Sequence, residues 1–300
     1  KMANSDLALS MGVIFAIASS FSYTGTLILL RKGMESGSST AAILFIDIIV
    51  GTGGFIIAWY LGSFSIVSIN QVFWFILSGF FGAGLGTITH FIGIQRIGVS
   101  RATPIHSASP IWAVLLAIFI LGESPESIVI VGTSLIIAGV FLLSLPEKED
   151  SGGFKGWLDS GCLYPLISSI SYGLSPVFVK IAFSYGKVPF IGIGISFWVG
   201  LATMFFYKRF MEGGGKIIID KRSFKLFTIA ALFNLAASGF LWTAFSLGDL
   251  TIVLPLSRIT PLWVVILSIF FLKKQEKVTI KTFAAAILIV AGGILITSVT

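Results

Sequence analysis

Cysteine, charge and long polar segments are all scarce in this sequence. Cys162 is the single cysteine in 300 residues, which excludes an internal disulfide and any cluster of cysteine ligands for a metal. Charged residues make up 11% of the chain, against about 25% in a soluble domain, and hydrophobic residues make up 56%. The largest predicted loops, 146–158 and 208–224, are too short for a soluble catalytic or nucleic-acid-binding domain. The chain is therefore predicted to fold in lipid and to bind no nucleic acid.

Long apolar runs fill the rest of the chain. Each run has about 20 residues, which as a helix is long enough to cross a hydrocarbon core of about 30 Å. None alternates apolar and polar residues as a bilayer-spanning strand would, so we expect an all-α membrane protein with ten transmembrane helices. We expect the first to be a retained helix rather than a signal peptide. The windows are 7–30, 41–61, 72–95, 99–121, 126–145, 159–182, 189–207, 225–246, 250–272 and 279–299.

The two halves of the chain share short motifs. Ser19-Ser20-Phe21-Ser22-Tyr23 recurs as Ser168-Ser169-Ile170-Ser171-Tyr172, and Ser109-Pro110-Ile111-Trp112 recurs as Thr260-Pro261-Leu262-Trp263. Ala138-Gly139 recurs as Ala291-Gly292. The spacing changes only from 149 through 151 to 153 residues, which indicates a tandem duplication with two small insertions.

Five helices per copy make the duplication inverted, because an odd number forces the second copy to enter the bilayer from the opposite face. We predict two five-helix repeats, 1–150 and 151–300. Inverted repeats can exchange open and closed roles, which is how secondary transporters achieve alternating access. A duplication that only enlarges the bundle is the alternative.

Aromatic and proline residues repeat inside the windows. Tyr23 and Tyr172 each lie four residues after a serine and share its helix face, which suggests a shared cavity or, alternatively, hydrogen bonds between helices. Pro110 and Pro261 lie well inside windows and predict kinked helices beside the substrate path, with Trp112 and Trp263 following. Kinks that serve packing alone are the alternative.

Ionisable residues inside the windows are functional candidates because charge is costly in a bilayer. They are Asp47, His90, His106 and Arg258. His106 aligns with Ser257 and Ser107 with Arg258, so both repeats carry a polar group in the turn before the paired prolines. We predict that Arg258 binds an anionic group of a substrate, assisted by His106; an Arg258–Asp47 ion pair, or an Arg258 contact with free carbonyls, is the alternative.

The remaining candidates are less distinctive. His90 ends a ridge of small residues at Ser78, Gly82 and Gly86, so it could equally be a packed histidine. Asn234, Ser238 and Trp242 share one helix face that could line the cavity opposite His90; a place in an aromatic belt at the lipid interface is the alternative for Trp242. No motif for an enzyme, metal or cofactor is present, so we predict no catalytic residue, metal or cofactor, with an intramembrane enzyme using Asp47 and a histidine as a remote alternative.

The sequence resembles the EamA-type carriers of the drug/metabolite transporter superfamily in three features of each half: the helix with the repeated proline, a glutamate after that helix, and a closing Ala-Gly. The glutamates are Glu123 and Glu276, the second of which comes two residues later than is usual in the family. The resemblance covers essentially the whole chain. It implies a cavity bordered by helices 1, 3, 4, 6, 8 and 9. Those helices carry the predicted substrate-binding residues Tyr23, His90, His106, Trp112, Tyr172, Asn234, Trp242, Arg258 and Trp263.

Function and topology follow as expectations. We predict a secondary-active or facilitative carrier for an amino-acid-like or carboxylated metabolite. The family resemblance implies that it is an exporter. The alternative cargo is a cationic or lipophilic compound held by the aromatic residues and Asp47. Asp47, His90 and His106 are candidates for proton coupling. Sixteen of the 20 Lys and Arg lie on one side, which places both termini outside, whereas the family habit places them in the cytoplasm. We expect a monomer, with a dimer as the alternative, in a prokaryotic plasma membrane.

Overall fold

The computed structural model describes residues 2–144, 160–210, 217–260, 262–263, 266–267 and 280–298. The first repeat contains α1 (Met2–Gly33), α2 (Ser39–Tyr60), α3 (Ile69–Ile97), α4 (Val99–His106 and Ser109–Leu121) and α5 (Ser127–Ser144). The second contains α6 (Leu163–Ser184), α7 (Pro189–Phe210), α8 (Lys221–Leu247), α9, which begins with Leu250–Ser257, and α10 (Ile280–Thr297). The described residues are all-helical and contain ten helices, as predicted, and the reciprocal packing of these helices fits two inverted repeats.

Length and apolar character explain why these helices cross a membrane. Seven of the described helices, α1, α2, α3, α6, α7, α8 and α10, are long and apolar enough to do so by length and composition. Their exposed surface is rich in large hydrophobic side chains such as Trp59, Phe73 and Phe205, which would be unfavourable in water. Lipid is therefore the medium that these helix surfaces fit.

The two repeats pack through reciprocal helix pairs. The first helix of each repeat lies against the third helix of the other, α1 with α8 and α6 with α3. The second helices pair, α2 with α7, and so do the last, α5 with α10. At the α5–α10 crossing, Gly132 meets Gly292 and Gly139 meets Ala285 so closely that a Cβ on Gly132 would lie 2.7 Å from the Gly292 carbonyl oxygen. Small residues allow this approach of two backbones, as is common in membrane helices.

The fourth helix of the first repeat is broken rather than kinked, which corrects the prediction for Pro110. Helix Val99–His106 ends, Ser107 and Ala108 form a turn, and Ser109–Leu121 begins with Pro110 in its first turn. Proline fits in the first turn because the N–H groups there have no partner within the helix. Its ring would clash with the carbonyl group of the residue four positions earlier, so the helix cannot continue unbroken from the preceding turn. α9 ends its first segment equivalently at Ser257, and the other predicted kink, Pro261, lies outside the described residues.

Three further features of the fold were not predicted. The Phe80–Gly86 part of α3 is π-helical, a wider winding that often occurs at functional sites. Pro176 lies inside α6 and Pro255 inside the first segment of α9. On the side of the membrane where α4 ends, Glu123 accepts hydrogen bonds from the backbone N–H groups of Leu250 and Thr251, both at 2.9 Å. The glutamate of the first repeat thus caps a helix of the second.

Candidate functional site

Two histidines and a tyrosine form an aromatic cluster where α3, α4 and α6 meet. The rings of His90 and His106 lie 4.2 Å apart between centroids, and the His106 ring meets that of Tyr172 edge to face at 4.9 Å. His106 is the last residue before the α4 break, so the break fixes its place in the cluster. His90, predicted as either a packed or a site residue, lies against His106 with the two rings tilted by 37°, while its Nδ1 is buried without a partner.

Hydroxyl groups orient this cluster. The Ser168 Oγ lies 2.9 Å from the His106 Nδ1 and donates to the Gly86 carbonyl oxygen at 2.7 Å, so the imidazole Nδ1 must carry the proton of their hydrogen bond. The Thr87 Oγ1 lies 2.9 Å from the Tyr172 hydroxyl. Sequence reasoning missed Thr87, whose only signal is its position directly after Gly86 in a helix predicted to border the cavity. Both contacts join α6 of the second repeat to α3 or α4 of the first.

Arg258 lies in the break of α9 and faces the same cluster from the second repeat. Its guanidinium is within electrostatic range of Tyr23, Tyr172 and His106, and its Nε is buried without a hydrogen-bond partner. Tyr23, although inside the bundle, leaves 39% of its surface exposed. Arg258 is therefore within electrostatic range of groups from both repeats, Tyr23 and His106 of the first and Tyr172 of the second.

Asp47 of α2 is an isolated buried carboxyl group. The residue is 3% exposed, its Oδ2 has no partner, and it lies within electrostatic range of Tyr172. Among the described residues it makes no ion pair with Arg258, which argues against the structural ion pair considered from the sequence. Both groups are thus available to a ligand or a proton.

The tryptophans and Asn234 have three different surroundings. The Trp112 Nε1 is buried without a partner, whereas the Trp263 Nε1 donates to the Ser20 Oγ at 2.9 Å. Trp242 is 7% exposed and packs between Phe75 and Phe183, so its ring belongs to the hydrophobic core. Asn234 is also 7% exposed and accepts a hydrogen bond from Ser238 at 3.3 Å. The contacts described for Trp242 and Asn234 do not connect them to the histidine cluster, and their role in substrate binding stays a prediction.

The described residues contain no group of three or more His, Cys, Asp and Glu that could hold a metal ion. The groups that the cluster offers a ligand are guanidinium and imidazole N–H donors and hydroxyl groups.

The model of one protein family matches the chain twice, over residues 10–145 and 159–298. The chain belongs to the EamA-like transporter family. The two matches lie on either side of residue 150, where the predicted repeats join.

Proteins similar in sequence to this chain include ones named as transporters or translocators. A Helicobacter pylori (strain J99) protein named "uncharacterized transporter" is 24% identical over 224 residues, covering 71% of this chain and 70% of that protein. A rice (Oryza sativa subsp. japonica) protein named phosphoenolpyruvate/phosphate translocator 3, chloroplastic, is 34% identical over 84 residues. That match spans 28% of this chain and 21% of the rice protein.

A solved crystal structure superposes on 97% of this chain and 97% of its own, with a TM-score of 0.80 and 15% identity. At that identity the likeness establishes the fold alone. Membership of the EamA-like family establishes the general activity: the chain is a multi-pass membrane transporter for a small molecule, and not an enzyme.

Proposed function

We propose that this transporter carries a small amino-acid-like or carboxylated metabolite by alternating access. The observation that carries the proposal is the buried, unpartnered Nε of Arg258, whose guanidinium is within electrostatic range of Tyr23 and Tyr172. A buried charged donor without a partner is costly, and an anionic ligand that accepts its hydrogen bond removes that cost. A planar carboxylate fits a guanidinium through two parallel hydrogen bonds.

The broken helices support an anionic cargo. The segment Ser109–Leu121 begins at the break of α4, so its N-terminus, the positive end of its dipole, opens in the middle of the bundle. Broken helices of this kind bind the charged ends of substrates in other secondary transporters. Phosphoenolpyruvate, which the rice relative is named for, is itself an anion with a carboxylate, although the likeness covers only 21% of that protein.

A cationic cargo, the alternative considered from the sequence, is disfavoured by the same geometry. Arg258 would repel a quaternary amine placed among the tyrosines. Among the described residues Asp47 is the buried carboxyl group that could attract such a cation, but Tyr172, with which Asp47 is in electrostatic range, is itself within range of the Arg258 charge.

The inverted repeats support the alternating-access part of the proposal, because reciprocal pairs such as α1 with α8 and α6 with α3 can exchange conformations. We further propose export across a prokaryotic plasma membrane by a monomer, with Asp47, His90 or His106 as the proton site if the cycle is proton-coupled. Proteoliposome transport with and without a pH gradient, in Asp47→Asn, His90→Gln and His106→Gln variants, tests the coupling.

The substrate class is tested by ligand-dependent thermal stabilisation over a panel of amino acids, carboxylates and quaternary amines. We expect a carboxylate to raise the melting temperature, and Arg258→Gln to weaken its binding by at least about tenfold, as loss of a hydrogen bond to a charged group predicts. Arg258→Lys keeps the charge but loses the planar pair of donors, so it should recover only part of the affinity.

Arg222→Gln is the matched control, since Arg222 pairs with Glu35 at 3.0 Å on the protein surface. Stabilisation by quaternary amines and not by carboxylates, or full carboxylate affinity in Arg258→Gln, would contradict the proposal.

A further inference from the structure

Some contacts between the repeats are made identically in both halves. The Ser19 Oγ donates to the Ala237 carbonyl oxygen at 2.8 Å, and its repeat equivalent Ser168 donates to the Gly86 carbonyl oxygen at 2.7 Å. These two bonds fix which residues correspond: α1 with α6, and α3 with α8. The residues that directly follow the two acceptors, Thr87 and Ser238, are therefore equivalent as well.

The tryptophan contact, by contrast, is made in one half only. The Trp263 Nε1 donates to the Ser20 Oγ at 2.9 Å. Its repeat equivalents are Trp112 and Ser169, and the Trp112 Nε1 and Ser169 Oγ are both buried without a partner. The same two residue types thus lie at corresponding positions with their hydrogen bond formed on one side and missing on the other.

The tyrosine contact is also made in one half only. The Thr87 Oγ1 lies 2.9 Å from the Tyr172 hydroxyl, whereas its equivalent Ser238 donates to the Asn234 Oδ1 at 3.3 Å. Tyr23, the equivalent of Tyr172, has 39% of its surface exposed and no hydrogen bond to Ser238. In this state one tyrosine is held by the protein and the other is free to meet a ligand.

Burial differs between the halves in the same way. The first segment of α9 is buried throughout, with Leu254 and Leu256 each 1% exposed. Their equivalents in α4, Thr103 and Ile105, are only half-buried. The structure is therefore closed around the start of α9 and looser around the start of α4.

We propose that the transport cycle exchanges these contacts between the halves, an inference that rests on the proposed alternating access. In the opposite state Trp112 donates to Ser169 while Trp263 leaves Ser20. Ser238 binds the Tyr23 hydroxyl, and Tyr172 leaves Thr87. The substrate is then bound by Tyr23 in one state and by Tyr172 in the other, and the two buried orphan groups, Trp112 Nε1 and Ser169 Oγ, acquire partners.

The exchange is tested without substrate, so that an incorrect substrate class cannot affect the result. In a Cys162→Ala background in nanodiscs, a reporter cysteine replaces Leu254. Because the side chain at this position is 1% exposed, we expect the cysteine to react with a maleimide only when the start of α9 opens. Removing Trp263 Nε1 by Trp263→Phe destabilises the observed state, and we expect labelling to become about threefold faster, as for an average hydrogen bond between membrane helices. Trp112→Phe destabilises the opposite state, and labelling should become about threefold slower.

Matched variants make the test specific. Trp198→Phe, which alters a partly exposed tryptophan of α7 beside Gly51, should leave the rate unchanged. The Trp112→Phe/Trp263→Phe double variant should return it close to the starting value, and Ser169→Ala should act in the same direction as Trp112→Phe. Changes of equal sign in the two single variants, or an unchanged rate in Trp112→Phe, would overturn the proposal. The second result would assign the orphan groups to the substrate alone, leaving the proposed function intact.

Discussion

Glu123 provides the sharpest single test of how the two repeats are held together. Both oxygens of its carboxylate accept hydrogen bonds from the first N–H groups of α9, at 2.9 Å from Leu250 and from Thr251. The Lys180 Nζ, which donates to the Gly248 carbonyl oxygen at 2.9 Å, lies within electrostatic range of the same carboxylate. Glu123→Ala would remove both bonds and leave the start of α9 without a cap.

The expected magnitude follows from the number of bonds. Hydrogen bonds to a charged group contribute about 1.5 kcal/mol or more each, and solvent screening at half-buried Glu123 reduces the pair to about 2 kcal/mol in total. Glu123→Gln keeps one acceptor oxygen, so its loss should be about half as large. The free energy of unfolding, measured by titration with SDS, is the assay.

Glu126→Ala is the control, because Glu126 is exposed in the same connection and a surface change of this kind costs within about 0.5 kcal/mol. If Glu123→Ala is no less stable than Glu126→Ala, the reasoning about the cap is refuted. If Glu123→Gln loses as much as Glu123→Ala, the two oxygens do not act as separate acceptors.

Two further predictions concern the helix contacts. Gly132→Val should lower the free energy of unfolding by about 1–3 kcal/mol, because the valine side chain would meet the Gly292 carbonyl oxygen at the α5–α10 crossing. Ser134→Val, on the exposed face of α5, is the control and should not lower it. Equal free energies of unfolding in the two variants would contradict the packing. Asp220 caps α8, and hydrogen bonds from the Ser223 side chain and backbone N–H hold the pKa of its carboxyl group below the ordinary value. The ionised Asp220 therefore stabilises the folded protein above about pH 4, and this contribution is lost as the pH falls through the lowered pKa. Asp220→Ala should lack that part of the acid-induced fall in melting temperature, and an unchanged fall would refute it.

The helices could be predicted from the sequence because each is a long apolar run, and the two-repeat organisation could be predicted from the duplication, whereas the pairing of the helices is seen only in the fold. The break before Pro110 was only half foreseen: proline indicates a disturbed helix, but whether the chain bends or stops depends on the packing around Ser107 and Ala108. The π-helical stretch Phe80–Gly86 leaves no pattern that distinguishes it from a glycine-rich α-helix.

Of the side chains that the structure brings together around His106, the histidines and tyrosines were candidates from the sequence, and Thr87 was not. His106 and Arg258 are conspicuous because charge is rare in membrane helices. Thr87 is one of many threonines, and its contact with Tyr172 spans 85 positions of the chain, so only the fold shows it. The cap by Glu123 was missed for the same reason: its partners are 127 and 128 residues away.

The covalent joining of the repeats allows the two halves of the site to differ. A symmetric dimer of the first half would place two histidine pairs in the middle and no arginine, because Ser107 occupies the position of Arg258. A dimer of the second half would bring two arginines together without a histidine, since Ser257 replaces His106. Fusion of unlike copies thus combines one arginine with one histidine pair, and so lets the site recognise a molecule whose two ends are chemically different.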